Sequence, residues 1–421
     1  MRTIGQHRDE IAALVAPVLS GRRVADPEAQ SIVDLATGAG AGRGHRVLGR
    51  AVVAPVPLPP FDNSQMDGFA VRAADAGDVV RVVAPIPAGV VPSALAPGTA
   101  APIMTGARIP DGADAVFPVE ATEPGAFPAA LDLTEVAVPD DLVAGTFVRA
   151  TGTDLPQGGE LAPAGAAVTP ALLGALASAG VTSVDVVRPL RVLVVSTGSE
   201  LLGDDTDPGA GAGARTGSAM IGDANGIALS AALAEVGAVT RTVRVPDDEA
   251  AFLAALDDAV GEWADLVLTT GGISAGAYEV VRQALEPCGL AVTPVAMQPG
   301  GPQAFGTVTF AGRPVPVVSF PGNPVSALVS FEVFLRPFLA TDAGLPDDRA
   351  AQVLPAADAA TSPVGKHQVR RGRVEDGRVH FVGGPSSHLL AHYAAATHLV
   401  HVPVGTATVE PGDPLTVWRL R

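Results

Sequence analysis

The chain has 421 residues, of which 48% are hydrophobic and 17% charged, and a formal net charge of −17; this predicts two to four domains with real cores and excludes bulk disorder. An acidic chain with 4% aromatic residues carries neither a basic stripe for duplex binding nor a stacking platform for single strands, so no nucleic-acid partner is expected. Arg370, Arg371 and Arg373 form an isolated basic cluster, and any anion must therefore be held locally, by backbone amides, helix N-termini or a metal ion.

The N-terminal sequence MRTIGQHRDEIAALVAP reads as a helix and has no apolar signal core. Cys288 is the only cysteine, so no intrachain disulfide framework exists and a reducing, cytoplasmic location is expected. Up to residue 187 the sequence is β-rich, as in GRAVVAPVPLP (49–59) and DVVRVVAP (78–85). Proline and glycine recur about every ten residues there, which predicts smaller β-containing domains. No charge occurs between Glu160 and Asp185, a length that could span a membrane. Pro163, Pro170 and several glycines interrupt it, and Thr169, Pro170 and Gly180 fit the N-cap, N1 and C′ positions of a short soluble helix. No membrane span is expected.

From 188 to 341 strand-like and helical segments alternate. RVLVVS (191–196), TRTVRV (240–245), DLVLTT (265–270) and PVPVVSF (314–320) are the strands. Helices are expected around 224–237, over AAFLAALDDAV (250–260), AYEVVRQALEPC (277–288) and VSALVSFEVFLRPFL (325–339). Asp247, Asp248 and Glu249 place negative charge at the start of the second helix. This alternation predicts a mostly parallel sheet covered on both faces. The tail, 342–421, holds short β-like pieces such as HQVRRGRV and HLVHVPV, which predict a small β-barrel or sandwich. The expected fold class is multidomain α/β plus β.

Three loops follow strands of the α/β segment, where open α/β sheets bind ligands. STGSEL (196–201) offers Thr197, Gly198, Ser199 and Glu200. TTGGISAG (269–276) offers Gly271, Gly272 and Ser274, whose amides can approach an oxyanion closely. PGNPVS (321–326) offers Pro321, Gly322, Asn323 and Ser326, with Asn323 as a helix cap and Pro324 at N1. One such loop is usually only a turn; three in one domain point to an anionic, nucleotide-like ligand. Two further segments, DNSQMDGFAVR (62–72) and PIMTGARIPDGADAVFPVE (102–120), read from composition as Asx-rich turns entering strands.

Taken together these loops resemble the signature motifs of the MoeA family, which includes the C-terminal domain of gephyrin. DNSQMDGFA is similar to DNSxMDGYA, IMTGARIPDGADAV to TGAxxPxGADAV, and STGSEL to STGDEL. TGGISAG resembles SGGVSVG, FPGNPVSA resembles LPGNPVSA, GTD (152–154) resembles GED, and IGDAN (221–225) resembles I-x-D-x-N. The matches keep their order and cover most of the chain. The resemblance implies four domains: an elongated dimerisation domain (1–50 and 149–187), a β-rich domain carrying DNSQMDGFA (51–148), an α/β molybdopterin-binding domain (188–341) like that of the molybdopterin adenylyltransferases, and a C-terminal β domain (342–421).

It further implies a homodimer whose cleft is completed by the partner's DNSQMDGFA loop, acting downstream of a molybdopterin adenylyltransferase. The implied reaction converts adenylylated molybdopterin and molybdate into molybdenum cofactor and AMP, with magnesium. On this reading Asp62, Asp67, Asp223 and Glu279 are catalytic, and Glu200, Asp223 and Glu279 hold the metal, which prefers hard oxygen ligands. Substrate binding falls to Ser64, Thr105, Asp154, Thr197, Gly198, Asn225, Gly271, Gly272, Ser274, Pro299, Gly300, Pro321, Gly322, Asn323, Pro324 and Ser326.

The chain departs from the family pattern at several of these places. Where relatives have KPGKP, with two lysines, this chain has Gln298 and Gly301. Thr153 replaces the Glu of GED, Ser199 the Asp of STGDEL, Glu279 an Asp and Val280 a Tyr. Two neutral groups in place of cations weaken oxyanion binding, and Arg282 or Arg149 are the candidate replacements. Two other functions share the motifs: a non-catalytic scaffold or molybdopterin-binding paralogue, as in gephyrin, and adenylylation of molybdopterin, against which the four-domain layout and DNSQMDGFA argue.

Overall fold

The computed structural model describes residues 1–25, 27–38, 46–198, 201, 221–245, 248–274, 279–345 and 349–420. Its centre is a six-stranded sheet in the order Val239–Val245, Arg191–Thr197, Leu266–Thr270, Arg313–Phe320, Pro302–Phe310, Leu290–Pro294. The first four strands are parallel. Arg191–Thr197, Leu266–Thr270 and Arg313–Phe320 are the apolar runs read from the sequence, and burial on both faces explains why they do not alternate; Val239–Val245, at the sheet edge, keeps exposed polar residues. The last two are antiparallel, which the sequence reading did not anticipate. Ala311 (φ 48°) and Gly312 (φ 81°) turn the chain back between Pro302–Phe310 and Arg313–Phe320, a left-handed pair that suits a two-residue hairpin.

Side chains from one strand feed two cores. Leu193 and Val195 join Phe252, Leu256 and Val260 of the helix Glu249–Val260, and Val281 and Leu285 of the helix Val280–Leu285. Val192 and Val194 face the other way, to Leu229 and Leu233 of the helix Ala224–Glu235, and to Phe331 and Leu335. The N-terminal helix, Ile4–Ala25, completes this second face through Ile11 and Val15. The run Pro324–Asp342 is long and apolar enough to cross a membrane, yet Val325, Ala327, Val329, Phe331, Phe334 and Leu335 are buried in the protein's own cores. It changes to π-helix over Phe331–Leu335, just before Pro337, where a missing N–H interrupts the regular ladder.

The N-terminal half holds a five-stranded sheet in the order Ala115–Pro118, Gly68–Val71, Thr99–Ile103, Val79–Val82, Glu135–Ala137. Phe69 and Phe117 pack on one of its faces, Ala70, Ile103 and Val116 on the other. Two-stranded pairings link Pro27–Ser31 with Ser183–Val187 and Val52–Val53 with Glu160–Ala162. Between 160 and 185 the charge-free stretch gives the nine-residue helix Pro170–Ser178, capped by Thr169, with Gly180 at φ 73°.

In the tail, a sheet built on His367–Glu375, His398–Val402 and Pro414–Arg419 and the small pair Ala360–Thr361/Thr408–Val409 share one core, a sandwich-like arrangement. Met297–Gln298 adds to this sheet beside His367–Gln368, so the tail is stitched to the α/β part.

Candidate active site

Parallel register sets the strand ends level: Ser196 lies opposite Thr270, and Thr270 opposite Phe320. Their loops therefore open side by side onto a cavity of about 610 Å³. Thr197 and Gly198 line it from the first loop, Gly271, Gly272 and Ser274 from the second, and Pro321, Gly322, Asn323 and Pro324 from the third. Asp223, Asn225 and Glu279 reach it from helix starts. Ser199 and Glu200 lie outside the described residues.

The glycines have a structural duty before any ligand arrives. Gly271 and Gly272 have φ of 90° and 64°, a region that favours glycine. A Cβ on Gly271 would stand 2.9 Å from Thr197 Oγ1, and one on Gly322 would stand 3.2 Å from the Gly271 Cα. The loops can touch because these side chains are missing. Asn225 then ties them, its Nδ2 donating to Thr270 Oγ1 (2.8 Å) and to the Gly322 carbonyl (2.7 Å).

Asp223 is 7% exposed and caps the helix Ala224–Glu235. Its Oδ1 accepts from Gly226 N at 2.8 Å and from Ser196 Oγ at 2.9 Å, and Arg244 Nε lies 3.5 Å from Oδ2. Glu279 Oε2 accepts from Ser274 N at 2.7 Å, which holds the carboxylate against the glycine loop. Asn323 sits at the N-cap of its helix but makes no capping bond. The expected cap is corrected: the amide is exposed at the cavity. No lysine or arginine lines the cavity among the described residues. An anion there meets backbone amides, hydroxyls and the start of the helical run from Pro324.

Several expected residues stand elsewhere. Pro299, Gly300 and Ser326 are buried and do not line the cavity; the Gly300 carbonyl accepts from Gln303 Nε2 at 2.8 Å. Gln298 Oε1 accepts from Gln368 Nε2 at 2.7 Å, a contact to the C-terminal sheet. Arg282 is paired with Glu286 at 3.1 Å and is no cavity cation. Arg149 Nη1 donates to Asn63 Oδ1 at 3.4 Å, far down the chain from the glycine loops.

Asp62, Ser64, Asp67, Thr105 and Asp154 belong to the N-terminal half and do not line this chain's cavity. Asp62 Oδ1 accepts from Thr151 N and Oγ1, both at 2.7 Å. These bonds hold its carboxyl below the usual range despite some burial, with help from Arg108. Asp67 Oδ1 accepts likewise from Thr105 N (2.7 Å) and Oγ1 (2.9 Å). Each carboxylate thus pins a neighbouring turn. Ser64 Oγ is buried and donates to the Met66 carbonyl at 2.6 Å, and Asp154 is exposed.

Sequence reading missed His388, which lines the cavity from the C-terminal domain. Ser386 Oγ lies 2.8 Å from its Nδ1, the Ser387 carbonyl accepts from Val325 N, and Arg371 donates to the carbonyls of Ser386 and Gly384. The segment GGPSSH holds small polar residues, but only its place in the fold marks it.

These strand-end loops define an α/β protein with a cavity of small-molecule size at the place where open parallel sheets bind ligands. Residues 2–180 match the MoeA N-terminal region (domain I and II), and residues 193–341 match a probable molybdopterin binding domain. Molybdopterin molybdenumtransferase 2 of Mycobacterium tuberculosis is 43% identical over 397 residues, covering 89% of this chain and 92% of its own. Molybdopterin molybdenumtransferase 1 of the same organism is 32% identical over 453 residues, covering 99% and 98%. The crystal structure of a molybdopterin biosynthesis MoeA protein from Pyrococcus horikosii superposes with a TM-score of 0.75 at 26% identity, covering 98% of each chain. The chain belongs to the MoeA family of molybdopterin molybdenumtransferases.

Proposed function

We propose that this chain inserts molybdenum into adenylylated molybdopterin, consuming molybdate and giving molybdenum cofactor and AMP. The observation that carries this reading is the cavity at three level strand ends, in a chain with the family's motifs in order. Its volume of about 610 Å³ lies in the range of small-molecule sites. The amides of Gly272, Ile273, Gly322 and Asn323 hold phosphate oxygens, since those of Gly271, Ser274 and Val325 already donate to Phe320, Glu279 and Ser387 and Pro324 has none. Thr197 and Asn225 orient them, and Asn323, not engaged as a cap, is available to the ligand.

The donor set fits magnesium in kind. Asp223 and Glu279 are oxygen ligands at the cavity, and Glu200 is the third carboxylate expected from sequence; magnesium needs one or two carboxylates and keeps several waters. No group of three or more His, Cys, Asp or Glu side chains able to hold a metal occurs among the described residues. When bound, the ion offsets charge on the departing phosphate. Asp62 and Asp67 act from a second copy of the chain, whose DNSQMDGFA loop closes the cleft. A cytoplasmic homodimer fed by a molybdopterin adenylyltransferase completes the reading.

One observation favours a second reading, a binding paralogue without turnover: the cavity has no lysine or arginine among its described lining residues, and Gln298 is engaged with Gln368. Release of AMP from adenylylated molybdopterin in the presence of molybdate separates the two. The native chain is expected to restore cofactor synthesis in a strain lacking its own molybdenumtransferase. Asp62→Asn is expected to lose at least tenfold in AMP release and to fail to restore growth. Tight binding without AMP release by the native chain would overturn the enzymatic reading.

A further inference from the structure

We infer that Arg244 is the counter-ion of Asp223 in the metal-free protein, and that a divalent cation entering the cavity must displace it. This rests on Asp223 being a metal ligand.

The arrangement begins in the sheet. Ser196 and Arg244 are register partners on adjacent parallel strands, so their side chains leave the same face of the sheet. Both meet the carboxylate of Asp223, one at each oxygen: Ser196 Oγ donates to Oδ1 at 2.9 Å, and Arg244 Nε stands 3.5 Å from Oδ2. Gly226 N also donates to Oδ1, at 2.8 Å, so that oxygen has two donors from the protein. Oδ2 is the oxygen that faces Arg244.

The two partners of the ion pair differ in freedom. The Asp223 side chain is 4% exposed and fixed by its hydrogen bonds, while that of Arg244 is 33% exposed. A buried carboxylate requires a compensating charge, whereas a partly exposed guanidinium keeps its head within reach of water. Gly226 shows how closely the carboxylate is fitted, because a Cβ there would lie 2.3 Å from Oδ2. Arginine and metal are therefore alternative occupants of the same oxygen, and each weakens the other's hold by the same factor.

The test is a manganese titration of the full-length protein followed by electron paramagnetic resonance at fixed ionic strength. Arg244→Gln is expected to bind Mn²⁺ about tenfold more tightly than the native chain. Arg244→Lys, which keeps the charge on a different head group, is expected to fall between the two and serves as the reading if the glutamine variant does not fold. Asp223→Asn is expected to lose this binding. Unchanged or weaker Mn²⁺ binding by Arg244→Gln, with binding lost in Asp223→Asn, would overturn the inference and leave Asp223 as a ligand. Native-like binding by Asp223→Asn would overturn both.

Discussion

At the scale of single residues, the site is held together by groups that act on each other before they act on a ligand. Gly226 is the sharpest case. Replacing glycine by alanine inside a helix ordinarily stabilises it by about 1 kcal/mol, yet here the new Cβ would strike Asp223 Oδ2. Gly226→Ala is expected to keep the native melting temperature within a few degrees while losing tenfold or more in AMP release. A variant as active as the native chain would show that the carboxylate needs no such fit. The glycines at strand ends were legible in the sequence because three small-residue loops follow strands of one domain, and the acids Asp223 and Glu279 were legible through the family's motifs. Asn323, Pro299, Gly300 and Ser326 were less so. A motif names residues that occur together, but whether each faces the cavity or the core depends on helix phase and on the chain that covers it. His388 had no local pattern at all.

Secondary-structure elements were most legible where burial is two-sided. Three of the four parallel strands, Arg191–Thr197, Leu266–Thr270 and Arg313–Phe320, are apolar runs, and the helices between the strands carry caps such as Asp248, whose side chain accepts from Ala251 N. The antiparallel strands Leu290–Pro294 and Pro302–Phe310 were not predicted, since their burial is broken and a hairpin made with a later strand leaves little local signal.

Packing between elements also creates buried histidines. His7 sits edge-on between Phe305 and Phe334, and its ring nitrogens have no hydrogen-bond partner among the described residues. Burial, with Arg2 nearby, pushes its pKa down from 6.5 to about 4. Burial and His367 push that of His401 down to about 3. Both are neutral when folded and bind protons more readily when unfolded. Their contribution is therefore complete above pH 6.5 and is lost as the pH falls toward 4 and then 3. Urea midpoints are expected to decline through this window, and His7→Leu is expected to flatten the decline while changing stability at pH 7.5 by less than about 1.5 kcal/mol. An equally steep decline in that variant would exclude His7 as a contributor.

For the whole molecule, the two groups of family residues occupy different parts of one chain. Thr197, Asp223, Asn225, Gly271, Gly272, Glu279 and Asn323 share a cavity, whereas Asp62 and Asp67 lie in the N-terminal half and line no part of it. If two copies complete each other's sites, an Asp62→Asn subunit and an Asp223→Asn subunit are each inactive alone. A mixed dimer of the two is expected to regain part of the native AMP release, because one of its two clefts has every residue intact. No recovery in mixed dimers isolated by dual tagging would mean that both groups must act within a single subunit. Composition and periodicity do not reveal this separation, since order along the chain carries no information about which copy supplies a wall; it was legible only through the family resemblance, which sets the DNSQMDGFA loop in a domain of its own.

The helix Ile4–Ala25 closes one face of the central sheet through Ile11 and Val15. It is made well before the strands that receive it, Arg191–Thr197 and Arg313–Phe320. Throughout that interval its apolar stripe has no native seat, and the half-made sheet has no roof. The helix must wait for those strands before it can dock, and the waiting period is when a chaperone has most to shield.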